Sequence, residues 1–204
     1  MGTTSKMGIP YPENTDLVTN GATAMKDISN QVDLKSGMVK ITTNSFTNVS
    51  SRTLSNIFSS DFDHYHIIWS VHSTGTTGGR ILTVQLRNSG GTSATNYVSA
   101  MRSFAMGLGT TTWDVGGNST TLFYCGYIGD PNGPAGAGFM NIYNPNKASD
   151  TTQTGQSFGL STNVAYYNMT FGGANLNNTA YTDLVFTPTG DNITGSITVY
   201  GYNT

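Results

Sequence analysis

Charge is what this chain lacks most. Only 10% of its 204 residues are Asp, Glu, Lys or Arg, against about 25% in an ordinary soluble domain. The net charge is −2, so there is no basic field to release counterions from a phosphate backbone, and nucleic acid is not an expected ligand. Glutamate, a strong helix former, occurs once, at Glu13. Cys125 is the only cysteine, which rules out an intrachain disulfide framework and a multi-cysteine zinc site. It sits in the apolar run Leu122–Tyr127 and reads as a buried thiol rather than a nucleophile. No stretch approaches the roughly 18 apolar residues of a membrane span. The opening Met1–Lys6 has no apolar core of a signal peptide, and Lys6 stands where a myristoylation pattern needs Ser or Thr. The expectation is a chain made in a cytoplasm without a signal peptide and without membrane insertion.

Neutral polarity fills the gap. Ser, Thr and Asn together make about a third of the chain. Threonine suits a pleated strand, and Asn, Ser and Gly supply turns, so the bias favours strands joined by tight loops. Beyond Gly37 runs of period two dominate, broken by Gly, Asn, Pro and Ser clusters. The expected strands are Val39–Thr43, Ser45–Val49, Ser51–Ser55, His64–Ser73, Arg80–Arg87, Tyr97–Met106, Thr121–Tyr127, Gly138–Tyr143, Ala165–Phe171, Asp183–Thr187 and Ile193–Tyr200. With no helical pattern between them, they predict an all-β fold: an antiparallel, jelly-roll-like β-sandwich over residues 37–204. The clearest strand sets Tyr65, Ile67, Trp69 and Val71 on the core face, with His64, His66, Ile68, Ser70 and His72 on the other. Glycine-rich Thr74–Gly79, Ser89–Asn96 and Gly129–Gly138 are expected as exposed tips.

The first 36 residues read differently. Two prolines in Gly8–Ile9–Pro10–Tyr11–Pro12 forbid a helix and predict an extended peptide that lies along something else. From about Asp16 to Leu34 a narrow seam of Leu17, Gly21, Ala24, Ile28 and Gln31 or Val32 recurs at spacings of three and four. Thr19, Asn20, Gly21 and Thr23 give this helix poor propensity, so it needs partners, in a short parallel bundle of several chains or on its own domain.

Three stretches resemble the small trimeric fibre and receptor-binding-type virion proteins of tailed bacteriophages. They are Met7–Pro12 followed by Thr15–Val18 and Gly21–Thr23; Ser45–Ser51 through Ile57–Phe58 to Tyr65; and Asn192–Tyr202. The resemblance implies an N-terminal segment, with Ile9, Pro10, Tyr11 and Pro12, that docks on other virion proteins. It implies a helix that gathers the chain into a homotrimer, and an outward-facing sandwich for host attachment. The implied location is the virion, and the implied function a tail fibre or receptor-binding appendage. Head fibres and capsid decoration proteins with a purely architectural role share the layout, and a β-sandwich alone does not transmit a ligand.

Catalytic signatures are missing. Glycosidic cleavage needs two positioned carboxyl groups, and residues 37–204 contain no glutamate. Asp61, Asp63, Asp114, Asp130, Asp150, Asp183 and Asp191 fall mostly where turns are expected. Asp61 and Asp63 beside His64 are the one dense acidic cluster. No enzymatic activity and no cofactor are expected. His64 and His66 share a strand face, where they could hold a metal or meet symmetry mates on a threefold axis; an ordinary solvent-facing or interface pair is the preferred reading. Trp113, Tyr127, Tyr143, Tyr166 and Tyr167 lie near Asn- and Ser-rich loops and are candidates to stack on a host cell-surface glycan. Tyr166 and Tyr167 cannot both point outward from one strand.

Overall fold

Alternation builds the sheets, and the strands are antiparallel throughout their named pairings. In the structure, a computed structural model, the described residues are 2–3, 10–11, 21, 23, 25–29, 37–75, 80–106, 112–117, 121–129, 133–162 and 165–202. The strands are β1 (Gly2–Thr3), β2 (Pro10–Tyr11), β3 (Val39–Val49), β4 (Arg52–Leu54), β5 (His64–Ser73), β6 (Ile81–Arg87), β7 (Tyr97–Met106), β8 (Thr112–Gly117), β9 (Phe123–Tyr127), β10 (Gly136–Tyr143), β11 (Thr151–Thr162), β12 (Ala165–Asn175), β13 (Asp183–Pro188) and β14 (Ile193–Tyr202). The chain divides into two compact units, Met1–Val39 and Lys40–Tyr202.

In the first unit the proline-containing peptide pairs with the N-terminus: Gly2 lies opposite Tyr11 and Thr3 opposite Pro10. Helical backbone is present at residues 21, 23 and 25–29. Gly21 and Ile28 of the predicted seam are half-buried while Thr23, Met25, Lys26 and Ser29 are exposed. Leu17, Ala24, Gln31 and Val32 lie outside the described residues, as do Ile9 and Pro12.

The second unit is a β-sandwich of unequal sheets. Eight strands run in the order β3-β14-β5-β10-β11-β12-β7-β8, and four in the order β4-β13-β6-β9. Tyr65, Ile67, Trp69 and Val71 of β5 are at most 1% exposed, as their alternation predicted, and pack with Leu82, Val84 and Leu86 of β6 and Phe186 of β13 in one continuous core. The indole of Trp69 lies against Phe171 and Phe186, with ring centroids 6.1 and 6.5 Å away. Its far edge occupies the space where a Cβ on Gly138 would stand, so β10 requires glycine there.

Four expectations change. Val39–Thr43 and Ser45–Val49 form one strand. The tip predicted at Gly129–Gly138 is partly woven into the body: Gly129 bridges His72, β10 begins at Gly136, and both glycines are buried with their backbones in contact. Strands β8 and β11 are additional. The twelve residues of β11, TTQTGQSFGLST, turn Thr151, Gln153, Gly155, Ser157 and Gly159 inward, so the buried face is polar or bare and gives no apolar period.

The reason is β9. It is the edge of the small sheet and bends onto β7, β11 and β12 of the large one. An edge strand leaves backbone groups unpaired, and buried ones must find partners. Here the large sheet supplies side chains: Ser99 Oγ accepts from the Tyr124 N–H at 3.1 Å, Gln153 Nε2 donates to the Tyr124 carbonyl at 3.2 Å, and Met169 Sδ accepts from the Tyr127 N–H at 3.3 Å. Cys125 is the extra residue of a bulge against β6, and Gly126 beside it has φ +102°. Burial pushes the Cys125 thiol far above its ordinary pKa of 9.0, consistent with an inert core cysteine.

Candidate functional site

The small sheet covers only one face of the large one, which leaves the other to solvent. Register decides what that face presents. Ile68 (β5), Phe139 (β10), Gln156 (β11), Thr170 (β12), Arg102 (β7) and Asp114 (β8) lie in one row across six strands. The next row carries Ser70, Ala137, Phe158, Asn168 and Phe104. Ile68, Phe104, Met106, Phe139, Phe158 and Tyr166 are each between 37% and 46% exposed. Burial alternates along these strands, and all six occupy the outward positions.

The face is almost without charge. The eight strands contain only Lys40, Arg102 and Asp114 as charged residues. Arg102 and Asp114 neutralise each other through two bonds, Nε to Oδ1 at 2.8 Å and Nη2 to Oδ2 at 2.9 Å. The guanidinium holds the Asp114 carboxyl below the usual carboxylate range, and the carboxylate raises Arg102 in turn. Both are exposed, so the pair contributes little stability.

Between β5, β10 and β11 lies an open groove of about 410 Å³, lined by His66, Ile68, Ala137, Phe139, Gln156 and Phe158 and bordered by Asn168. Phe158 is stacked parallel to Tyr166, centroids 5.5 Å apart and planes 9° apart. His66 Nδ1 is 2.8 Å from Asn141 Oδ1 and its ring lies 5.5 Å from Phe139.

His64 and His66 therefore sit together on the solvent face as their spacing predicted, but each is enclosed by aromatic neighbours: His64 has Tyr143 at 5.1 Å and Tyr202 at 5.5 Å. No cluster of three or more His, Cys, Asp or Glu able to hold a metal occurs among the described residues. The aromatic residues considered for a glycan are not brought together. Tyr143 is on the solvent face beside His64, whereas Tyr127 and Tyr167 pair with each other at 4.9 Å and pack against the core. The side chain of Trp113 lies outside the described residues. Tyr166, not Tyr167, points outward.

The aspartates are engaged in loops and ion pairs. Asp63 meets Lys147 at 2.6 Å, which lowers its pKa; Asp191, at φ +52°, accepts from Arg80 Nε at 2.7 Å; Asp183 accepts from the Asn56 N–H and the Thr182 hydroxyl. Asp61 accepts from Ser59 Oγ at 3.1 Å.

Sequence reading missed Phe139, Phe158, Gln156 and Asn168 as a group, because β11 was not expected to be a strand. The available signal was the period-two series Thr152, Thr154, Gln156, Phe158 set against Gly155, Ser157 and Gly159. No family model, curated protein or solved structure matches the chain.

Proposed function

We propose that this chain is a non-enzymatic structural protein of a bacteriophage virion, a tail-fibre or receptor-binding appendage. In this reading residues 1–36 attach and oligomerise it, as a homotrimer, and the sandwich is displayed for contact with the host surface. The observation that carries the reading is the uncovered face of the eight-stranded sheet, where six large apolar side chains stand at outward positions on a nearly uncharged surface. A contiguous exposed apolar patch of this kind is a feature of interaction surfaces. The resemblance of Met7–Pro12, Ser45–Ser51 and Asn192–Tyr202 to fibre-type virion proteins supports the phage assignment. The engagement of Asp61, Asp63, Asp114, Asp183 and Asp191 by hydroxyls, amides and cations favours binding over catalysis.

Immunogold labelling of intact particles with antibody to the sandwich tests the proposal. Label at the tail tip is the expected result. Label spread over the capsid would move the protein to the architectural class, a head fibre or decoration protein. Purified particles that lack the chain altogether would overturn the virion reading.

A further inference from the structure

The groove on the solvent face has a floor and walls that differ in kind. Its floor is Ala137, a small outward side chain of β10, opposite Ser70 of β5 and Phe158 of β11. Phe139 bounds it along the strand and Phe158 across it, with Ile68 beside Phe139. A small residue between two rings leaves a slot. Phe158 is held by its parallel stack on Tyr166, so one wall is a pre-set aromatic plane.

The polar groups are at the rim. Gln156 and Asn168 carry amides with no hydrogen-bond partner among the described residues, and His66 is oriented by Asn141. No Asp, Glu, Lys or Arg lines the groove. Aromatic planes with free amides beside them suit a ligand that is apolar on one face and rich in hydroxyls at its edge. The absence of a fixed charge suits a neutral one.

We infer that this groove is a binding site for a neutral saccharide, whose apolar C–H face lies on Phe158 and Phe139 and whose hydroxyls meet Gln156, Asn168 and His66. The inference rests on the surface-display reading above and names the class of ligand. Its volume of about 410 Å³ falls at the low end of small-ligand sites, about 300 to 1,000 Å³, which suits a short oligosaccharide. A second copy of the chain is the rival occupant, because six side chains exposed by about two-fifths each offer roughly 500 Å² of apolar surface, about the apolar share of the roughly 800 Å² per partner in a standard protein interface; the amides at the rim and the slot between the rings favour the saccharide.

The test is saturation-transfer NMR on the full chain with a panel of neutral hexose, 6-deoxyhexose and N-acetylhexosamine tetrasaccharides, and sialyllactose as an anionic control. At least one neutral tetrasaccharide should receive saturation on its ring C–H protons, and sialyllactose should not. Phe158→Ala should weaken binding by about tenfold or more, the loss of about 1.4 kcal/mol. Ala137→Leu, which fills the slot and keeps both rings, should do the same. Circular dichroism of both variants should match the parent. The inference is overturned if no neutral member of the panel binds, if both variants bind like the parent, or if Phe158→Ala breaks the assembled protein into smaller species, which would make the face a subunit interface. Unchanged binding in the variants together with label at the tail tip would remove the groove and leave the appendage reading standing. Saccharide binding by a chain that is not in the virion would do the reverse.

Discussion

Replacing Gly126 by alanine should lower the stability of the sandwich by about 3 kcal/mol. Two costs combine. At φ +102° a Cβ is strained, which takes about 1 to 2 kcal/mol. The new methyl would also fall onto the hydroxyl of Ser157 and stand 3.1 Å from Ser157 Cβ and from Met169 Cε; overpacking of a filled core costs about 1 to 3 kcal/mol. The Met169 methyl can swing aside, but Ser157 is held in the middle of β11. Urea unfolding followed by far-ultraviolet circular dichroism should therefore show the midpoint falling by about 1.5 M, taking an m-value of about 2 kcal/mol/M. A second substitution separates the costs. Ser157→Gly removes the obstructing side chain, so in the double variant about 1 to 3 kcal/mol should return, leaving the backbone strain. The buried Ser157 hydroxyl has no partner among the described residues, so its loss removes an unsatisfied group as well. If Gly126→Ala unfolds at the parental midpoint, or if Ser157→Gly rescues nothing, β9 is not pressed against β11 and the account of the polar core fails.

Tyr97→Phe should cost about 1 to 3 kcal/mol, because the Leu86 N–H donates to the Tyr97 hydroxyl at 2.8 Å beyond the end of β9 and would be left buried and unpaired; the same urea titration measures it. Alkali should destabilise the fold, since burial raises the pKa of Tyr97 and Cys125 above their ordinary 10.0 and 9.0. Their stability contribution is complete below those values; above them the unfolded chain ionises first, and stability falls by about 1.4 kcal/mol per pH unit for each group until the folded-state value is passed. Tyr97→Phe should make that fall shallower in a pH 8 to 11 series, and an unchanged slope would contradict the burial of the phenol. Removal of residues 1–36 should leave the cooperative unfolding of the sandwich intact, because the unit Lys40–Tyr202 holds its own core. Light-scattering mass should fall from trimer to monomer in the same variant, and a monomer with and without the segment would end the proposed assembly.

The alternation of β5 determined its own placement: four large apolar residues at every second position can be buried together in only one way, and Tyr65, Ile67, Trp69 and Val71 are. Low charge, abundant threonine and regular turn clusters likewise determined an all-β sandwich. β11 was not legible, because what it buries is Thr151, Gln153, Ser157, two glycines and a single leucine, Leu160, and the polar and bare positions become sensible only where an edge strand from the other sheet needs donors and room. The solvent groove follows the same logic. Phe158 and Gln156 lie in one segment, but Phe139, Ile68 and Asn168 come from three other strands, and it is sheet order, set by tertiary packing, that makes neighbours of residues far apart in the chain.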